Sequence, residues 1–338
     1  MKKRDNSAEE QNSDRLENNY TTGVANSNGF FHLPVLLAEV LQTLKPQADG
    51  LYIDGTLGGG GHAKAILQTG AHLVGIDRDT EAIAACRERL SEFGERATIV
   101  QGNFSTMKAI AKELGVVGKA DGILLDLGVS SHQLDVAERG FSYMQEAHLD
   151  MRMNRNDGPT AAEIVNTYSV AELTEILYSY GEENWAKRIA EFIVARRAIS
   201  LIETTAELVE VIKNAIPAGA REKDQHPAKR TFQALRIKVN DELGALQKVI
   251  ADAIEVLKPE GRLAIITFHS LEDRIVKDRF RFLSLDCVCP PEFPVCCCNK
   301  VASVRILTRK PIAPGADEVA ANPRSRSSKL RVAEKLPS

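Results

Sequence analysis

The 338-residue sequence has no apolar run long enough to cross a membrane, and it has little net charge. Hydrophobic residues make up 43% of the chain and charged residues 26%, proportions typical of a soluble globular protein. Its 43 basic side chains stand against 46 acidic ones, so the net charge is only −3. We therefore expect no membrane partner, and any contact with nucleic acid must come from local basic patches.

The first 28 residues also lack the apolar core of a secretory signal peptide. They are rich in Asn, Glu and Ser, and their acidic residues argue against an organellar transit peptide. We expect a disordered tail over 1–28 and a cytoplasmic location. The length of the chain fits either two ordinary domains or one α/β domain with an insertion.

A glycine-rich stretch is the strongest local signal. Residues 51–62 are an apolar strand ending in Asp54, a loop with five glycines and His62, followed at once by a helical apolar pattern. Glycines allow positive φ and let backbone N–H groups approach a ligand at a helix N-terminus. The loop alone is equally compatible with a plain strand-to-helix turn. The next apolar strand, however, ends in Asp77, roughly 20 residues further on, as expected for a carboxylate that binds ribose hydroxyls, and this favours an adenosine-containing cofactor.

Strands and helices alternate through the first half of the chain. Helices are predicted over 79–90 and 105–114, and strands over 97–101 and 122–127, which indicates a doubly wound parallel sheet of the α/β class. Ligands bind beyond the carboxyl ends of such strands, so we expect Asp54, Asp77, Phe104 and Asp126 to share one crevice. The alternative for Asp126 is that it merely caps a turn.

Several longer motifs, spread over 32–331, resemble a known family. They occupy 32–37, 54–62, 121–135, 139–143, 149–153, 267–273 and 322–331. In this order they resemble the bacterial ribosomal RNA small subunit methyltransferase H family, also called MraW. That family transfers a methyl group from S-adenosylmethionine to N4 of a cytidine in the decoding (P-site) region of 16S rRNA, on a Rossmann-like class I methyltransferase sheet.

The resemblance implies roles for individual residues. Gly60, Gly61 and His62 would line the methionine and ribose side of the cofactor, Asp77 would bind the ribose hydroxyls and Phe104 would pack on the adenine, with Asp126 and Gln133 closing the site. The Asp/Asn-Pro-Pro-aromatic motif common in amino-methyltransferases is replaced after Asp126 by Leu-Gly-Val, a departure that the family shares. The platform for the target base therefore stays unidentified.

The sheet pattern stops between about 147 and 236. Three capping boxes precede apolar runs there, at Thr160/Glu163, Ser169/Glu172 and Thr204/Glu207. Because a crossover needs little more than a dozen residues, the excess predicts an inserted helical substrate-recognition domain over 147–236, between methyltransferase parts at 29–146 and 237–338. We expect a return helix over about 240–257 and place the aromatic rings of the insertion in its core: Tyr168, Tyr178 and Tyr180.

Basic residues form three clusters on this slightly acidic chain. We interpret them as a track for RNA phosphates, and the alternative is an ordinary solvated face. The clusters are Arg221, Lys223, Lys229, Arg230, Arg236 and Lys238; Arg274, Lys277 and Arg281; and Arg324, Arg326, Lys329 and Arg331.

Five of the six cysteines fall within 287–298. In a cytoplasmic chain such a cluster suggests a metal before a disulfide, yet the spacing is not a clean pair of Cys-x-x-Cys motifs. We therefore predict no metal site and a reduced loop, with structural zinc as the alternative for Cys287, Cys289, Cys296, Cys297 and Cys298. Cys86 stands alone and is expected in the core.

Two residues are candidates for the chemistry. Asp126 is the first, as the group that accepts a hydrogen bond from the target amine, and His269 is the second, although a structural histidine is equally compatible there.

Two other functions remain open: an RNA-binding assembly factor that keeps the fold without catalysis, and a nicotinamide-dependent oxidoreductase. The sequence leaves the oligomeric state open, a homodimer included.

Overall fold

The computed structural model describes residues 34–222, 225–290, 292–293 and 295–337. The predicted tail over 1–28, the first two residues of the motif at 32–37 and Lys223 lie outside the described residues. No helix in the described part of the chain is both long and apolar enough to cross a bilayer.

A seven-stranded sheet forms the centre of the described chain, in the order β3-β2-β1-β4-β5-β7-β6. Strands β1 to β5 are parallel, and β7 runs antiparallel between β5 and β6. The doubly wound α/β sheet expected from the alternation is therefore confirmed. The strands are β1 (Leu51–Asp54), β2 (His72–Asp77), β3 (Ala97–Gln101), β4 (Ala120–Asp126), β5 (Leu257–Thr267), β6 (Val304–Ile306) and β7 (Lys329–Lys335).

Helices cover both faces of this sheet, which explains why its central strands are apolar on both sides. In β4, Ile123 and Leu125 face one core while Leu124 faces the other. The first core is completed by α4 (Met107–Glu113), α11 (Glu242–Val256) and α12 (Ser270–Leu283). The second is completed by α1 (Leu37–Leu44), α2 (Gly61–Gln68) and α3 (Thr80–Arg89). Cys86 of α3 is fully buried in this second core, as expected.

A helical segment lies between β4 and β5 and has a third core of its own. Each of the three expected capping boxes is formed, and each starts a helix. The helices are α5 (Ser131–Asp135), α6 (Ala161–Thr167), α7 (Val170–Gly181), α8 (Ala186–Arg197), α9 (Thr205–Ala215) and α10 (Lys229–Asn240), and α13 (Ala316–Ala321) follows near the end of the chain.

One expectation for this segment needs correction. Tyr168 and Tyr180 pack against its core, but Tyr178 is 67% exposed, because it lies on the solvent side of α7. The proposed boundary at 236 falls inside α10, which continues to Asn240; the chain then turns at Asp241, with φ 47°, into α11. The boundaries of the recognition domain stay predictions.

Candidate active site

The glycine loop between β1 and α2 is tightly packed, and this explains its composition. Gly58 and Gly60 have positive φ, which costs side-chain-bearing residues energy. A Cβ on Gly60 would lie 2.9 Å from Cys86 Sγ, and one on Gly61 would lie 2.4 Å from Cγ of Pro34. Gly61 lines a crevice at the carboxyl edge of the sheet, whereas Gly60 is buried behind the loop against Cys86. Of the two glycines assigned to the cofactor, only Gly61 therefore faces the crevice.

Asp77 holds the loop from the end of β2. Its Oδ2 accepts a hydrogen bond from Gly58 N at 2.7 Å, and its Oδ1 accepts one from Asp79 N at 2.8 Å. Burial raises the pKa of the Asp77 carboxyl, while these two backbone hydrogen bonds oppose the rise. Each carboxylate oxygen has a further lone pair, so the side chain can still accept hydrogen bonds from two ligand hydroxyls in the crevice.

Thr56 links the carboxylates at the ends of β1 and β4. Its backbone N–H donates to Asp54 Oδ1 at 3.0 Å, and its hydroxyl oxygen accepts from Asp126 N at 2.6 Å. Burial raises the pKa of the Asp54 carboxyl to about 7, against the opposing hydrogen bond from Thr56. Thr56 was not among the predicted site residues, although a hydroxyl directly after the first loop glycine was a visible signal.

Asp126 ends β4 with its side chain 20% exposed toward the crevice. Its Oδ1 is buried and has no hydrogen-bond partner among the described residues, and its Oδ2 lies 3.7 Å from Nδ1 of His62. Burial, together with the charges of Asp54 and Glu272, raises the pKa of the Asp126 carboxyl well above its ordinary value. A buried carboxyl oxygen that lacks a hydrogen bond in the described chain is costly, so this geometry is typical of a group kept for a ligand or a proton.

Gln133 belongs to a buried hydrogen-bond network beside the crevice. Its Nε2 donates to Asp79 Oδ2 at 2.9 Å, and Arg139 Nη1 donates to the same oxygen at 2.8 Å. Arg139, which is 1% exposed, also reaches the carbonyl oxygens of Arg152 and Met153. Gln133 still lines the crevice, as does Phe104. The network joins α3 to the segment after β4. Its central residue, Arg139, was not among the predicted site residues.

His269 lies at the N-cap of α12, and both of its ring nitrogens approach Glu272. Nδ1 accepts from Glu272 N at 3.5 Å, and Nε2 lies 3.3 Å from Oε1 of the same residue. Burial disfavours the ionised form of Glu272, but His269 and Arg236 nonetheless hold the pKa of its carboxyl below the ordinary value. The His269-x-x-Glu272 spacing is that of a capping box, a signal hidden because histidine replaces the usual Ser or Thr.

Ion pairs occupy many of the residues in the three basic clusters. Arg236 is held by Glu242 through two hydrogen bonds of 2.9 Å with both side chains largely buried, so it is not part of a surface track. Lys329 and Arg331 both bind Asp273. Lys229, by contrast, is exposed, lines the crevice and has no carboxylate within ion-pair distance in the described chain. Arg324 also lines the crevice and binds Asp135.

The crevice encloses about 390 Å³, within the range of small-molecule sites. The sheet edge, α10 and the C-terminal segment all contribute to its walls. Of the residues assigned from the sequence, it brings together Gly61, His62, Asp77, Phe104, Asp126, Gln133 and His269.

Comparison with known proteins identifies the family. The model of the MraW methylase family matches residues 29–336. The protein called ribosomal RNA small subunit methyltransferase H is 57% identical in Heliobacterium mobile and 55% identical in Clostridioides difficile, over 91% of this chain and 99% of each relative. The crystal structure of an rRNA methylase from Streptococcus thermophilus aligns with 90% of this chain and 99% of its own at 10% identity and a TM-score of 0.41, too slight a likeness to bear on function. On the family match and these identities, the chain belongs to the MraW methylase family.

Proposed function

We propose that this protein transfers a methyl group from S-adenosylmethionine to N4 of a cytidine in the decoding region of 16S rRNA, within the small ribosomal subunit. One observation carries the proposal: the buried Oδ1 of Asp126, which has no hydrogen-bond partner among the residues that the structure describes, lies in the same crevice as Asp77, the glycine loop and the exposed Lys229. A ribose-binding carboxylate, a reactive carboxylate and a phosphate-binding cation thus meet in one place. The names of the relatives support an rRNA of the small subunit as substrate.

The residues of the crevice fit this cofactor. Asp77 offers acceptors for two ribose hydroxyls, Phe104 offers a ring for adenine, and the first two residues of α2, Gly61 and His62, line the crevice. When bound, S-adenosylmethionine supplies a methyl group made electrophilic by the adjoining sulfonium.

Asp126 then acts on the target amine. The exocyclic nitrogen of cytosine is a poor nucleophile, because its lone pair is delocalised into the ring. A hydrogen bond from that amine to Asp126 Oδ1 orients it and disperses the positive charge that develops as the nitrogen–carbon bond forms and the carbon–sulfur bond breaks. Positioning contributes most, on the order of 7 to 11 kcal/mol, and the proton that leaves the nitrogen passes to Asp126.

Transfer of radiolabelled methyl groups tests the proposal. The full chain would be incubated with labelled S-adenosylmethionine and small ribosomal subunits that lack the modification, and in parallel with naked 16S rRNA. We expect label in the rRNA, recovered after nuclease digestion as N4-methylcytidine from the decoding region. Label in another nucleoside or region would refute the proposed specificity.

An absence of transfer would need a binding measurement to interpret. Tight binding to the subunit without transfer would instead support an assembly factor that keeps the fold without catalysis.

A further inference from the structure

Four cysteine sulfurs lie close together in the loop that follows α12. The Sγ atoms of Cys287, Cys289, Cys296 and Cys298 all lie within 4.8 Å of one another. The measured separations are 3.4 Å for 287 to 296, 4.0 Å for 289 to 296, 3.6 Å for 296 to 298 and 3.8 Å for 287 to 298. Two Cys-x-Cys pairs, seven residues apart in sequence, thus face each other.

These separations match a tetrahedron of metal ligands. Zinc–sulfur bonds of about 2.3 Å place the sulfurs of a tetrahedral site roughly 3.8 Å apart. A disulfide would instead need a pair at about 2.05 Å, and all the cysteines are free thiols. The four sulfurs therefore surround a common centre rather than forming two bonded pairs.

Backbone amides point at three sulfurs in the same loop. Val288 N donates to Cys298 Sγ at 3.5 Å, Cys289 N donates to Cys287 Sγ at 3.4 Å and Cys297 N donates to Cys289 Sγ at 3.4 Å. Hydrogen bonds of this kind stabilise thiolates, which are the form that binds metals.

The described residues of the loop form no apolar interior that would otherwise hold this arrangement. It connects α12 to β6, and the residues described in it form neither helix nor strand. Its larger apolar side chains face solvent, with Val288 45%, Phe293 53% and Val295 75% exposed. Burial of apolar surface therefore does not account for the convergence of four thiols at the protein surface.

We propose that Cys287, Cys289, Cys296 and Cys298 bind one structural zinc ion. Four thiolates in tetrahedral array are the donor set of zinc, and they leave no open position for a substrate, so the ion orders the loop and takes no part in methyl transfer. Binding releases the thiol protons to solvent. Cys297 is outside the set, because its Sγ approaches only that of Cys289, at 3.7 Å.

The metal content of the purified full chain tests this proposal. Prepared under reducing conditions, the wild type is expected to carry about one zinc per chain by plasma mass spectrometry. Cys287→Ser and Cys296→Ser should each lose most of it, whereas Cys297→Ser, the control from the same loop, should keep it. When Co²⁺ replaces the zinc, the wild type and Cys297→Ser should show the visible absorption of tetrahedral cobalt thiolate. Cys287→Ser and Cys296→Ser should not show it.

Several outcomes would overturn the proposal. The reduced wild type could bind neither zinc nor cobalt, or it could carry iron in place of zinc. Equal loss of zinc in Cys297→Ser and Cys287→Ser would also contradict the proposed set of ligands. Circular dichroism would verify that each variant is folded. Because every readout is a metal or an absorption band, failure here leaves the proposed methyl transfer untouched.

Discussion

His62 Nδ1, directly after the glycine loop, lies 3.7 Å from Asp126 Oδ2 at the end of β4. The other ring nitrogen of His62, Nε2, is 3.0 Å from the carbonyl oxygen of Val35. A carbonyl oxygen can only accept, so Nε2 carries a hydrogen and Nδ1 is the nitrogen that can exchange a proton with Asp126. In the proposed reaction, the proton that leaves the target amine passes to Asp126, beside this ring nitrogen.

Replacing Asp126 by Asn tests its part in the chemistry. The change keeps the shape of the side chain but removes its charge and its capacity to take a proton. We expect the single-turnover methylation rate to fall at least about 10²-fold, while affinities for S-adenosylmethionine and rRNA change little. Rapid-quench kinetics with saturating enzyme measures the rate, and Asp278→Asn, at an exposed position of α12, is the control. A rate within about threefold of wild type would exclude this role.

Asp77→Ala tests how the protein binds S-adenosylmethionine. In the proposed complex, the variant lacks the acceptors for two ribose hydroxyls, and hydrogen bonds to a charged group contribute about 1.5 to 3 kcal/mol each. We expect calorimetry to show S-adenosylmethionine binding at least about tenfold weaker, with Asp278→Ala unchanged. Unaltered affinity in a folded Asp77→Ala protein would mean that the ribose is held elsewhere.

His269→Asn separates a structural role from a catalytic one. Asparagine is a good N-cap, so the variant should keep α12 and the melting temperature close to wild type. Since both ring nitrogens of His269 approach Glu272, we expect the single-turnover rate to fall by less than the roughly 10²-fold typical of a general base. A loss as large as that of Asp126→Asn would place His269 in the chemical step.

Lys229→Glu tests the contact with RNA. Lys229 is exposed at the crevice, whereas Lys187, on α8, is exposed and paired with Glu191. Reversing the charge at position 229 should weaken rRNA binding and reduce the magnitude of the slope of log affinity against log salt concentration by about 1. Cofactor binding should stay unchanged. Filter binding across a salt series measures both. Equal effects of Lys187→Glu would show that only net charge matters.

The buried Asp54 should make stability depend on pH. Its pKa is about 7 in the folded protein and near 3.8 when unfolded, so between these values the native state holds a proton that the unfolded chain has lost. Stability must then fall as pH rises. Relative to Asp54→Asn, we expect the wild type to lose about 1.4 kcal/mol per pH unit between about pH 4 and 7, and to level off above. Denaturant titrations at several pH values measure this. Parallel pH curves for the two proteins would contradict the buried, protonated carboxyl.

Local spacing in the sequence was enough to predict several features. The strand, glycine loop and helix around Asp54 and His62 follow from periodicity and glycine chemistry, and the convergence of Asp77, Phe104 and Asp126 follows from a general rule for parallel sheets. The capping boxes at Thr160, Ser169 and Thr204 involve only neighbours in sequence, and all three are present.

Tertiary packing decided which partner each polar side chain has. Arg236 reads as a surface charge until the turn at Asp241 brings Glu242 against it, and the close packing of Gly60 against Cys86 depends on where α3 lies. Likewise, only the reversal of the loop after α12 brings the two Cys-x-Cys pairs face to face. The sequence determines side-chain spacing along one element, but contacts between elements depend on how their surfaces pack, and a pattern within one element does not contain that information.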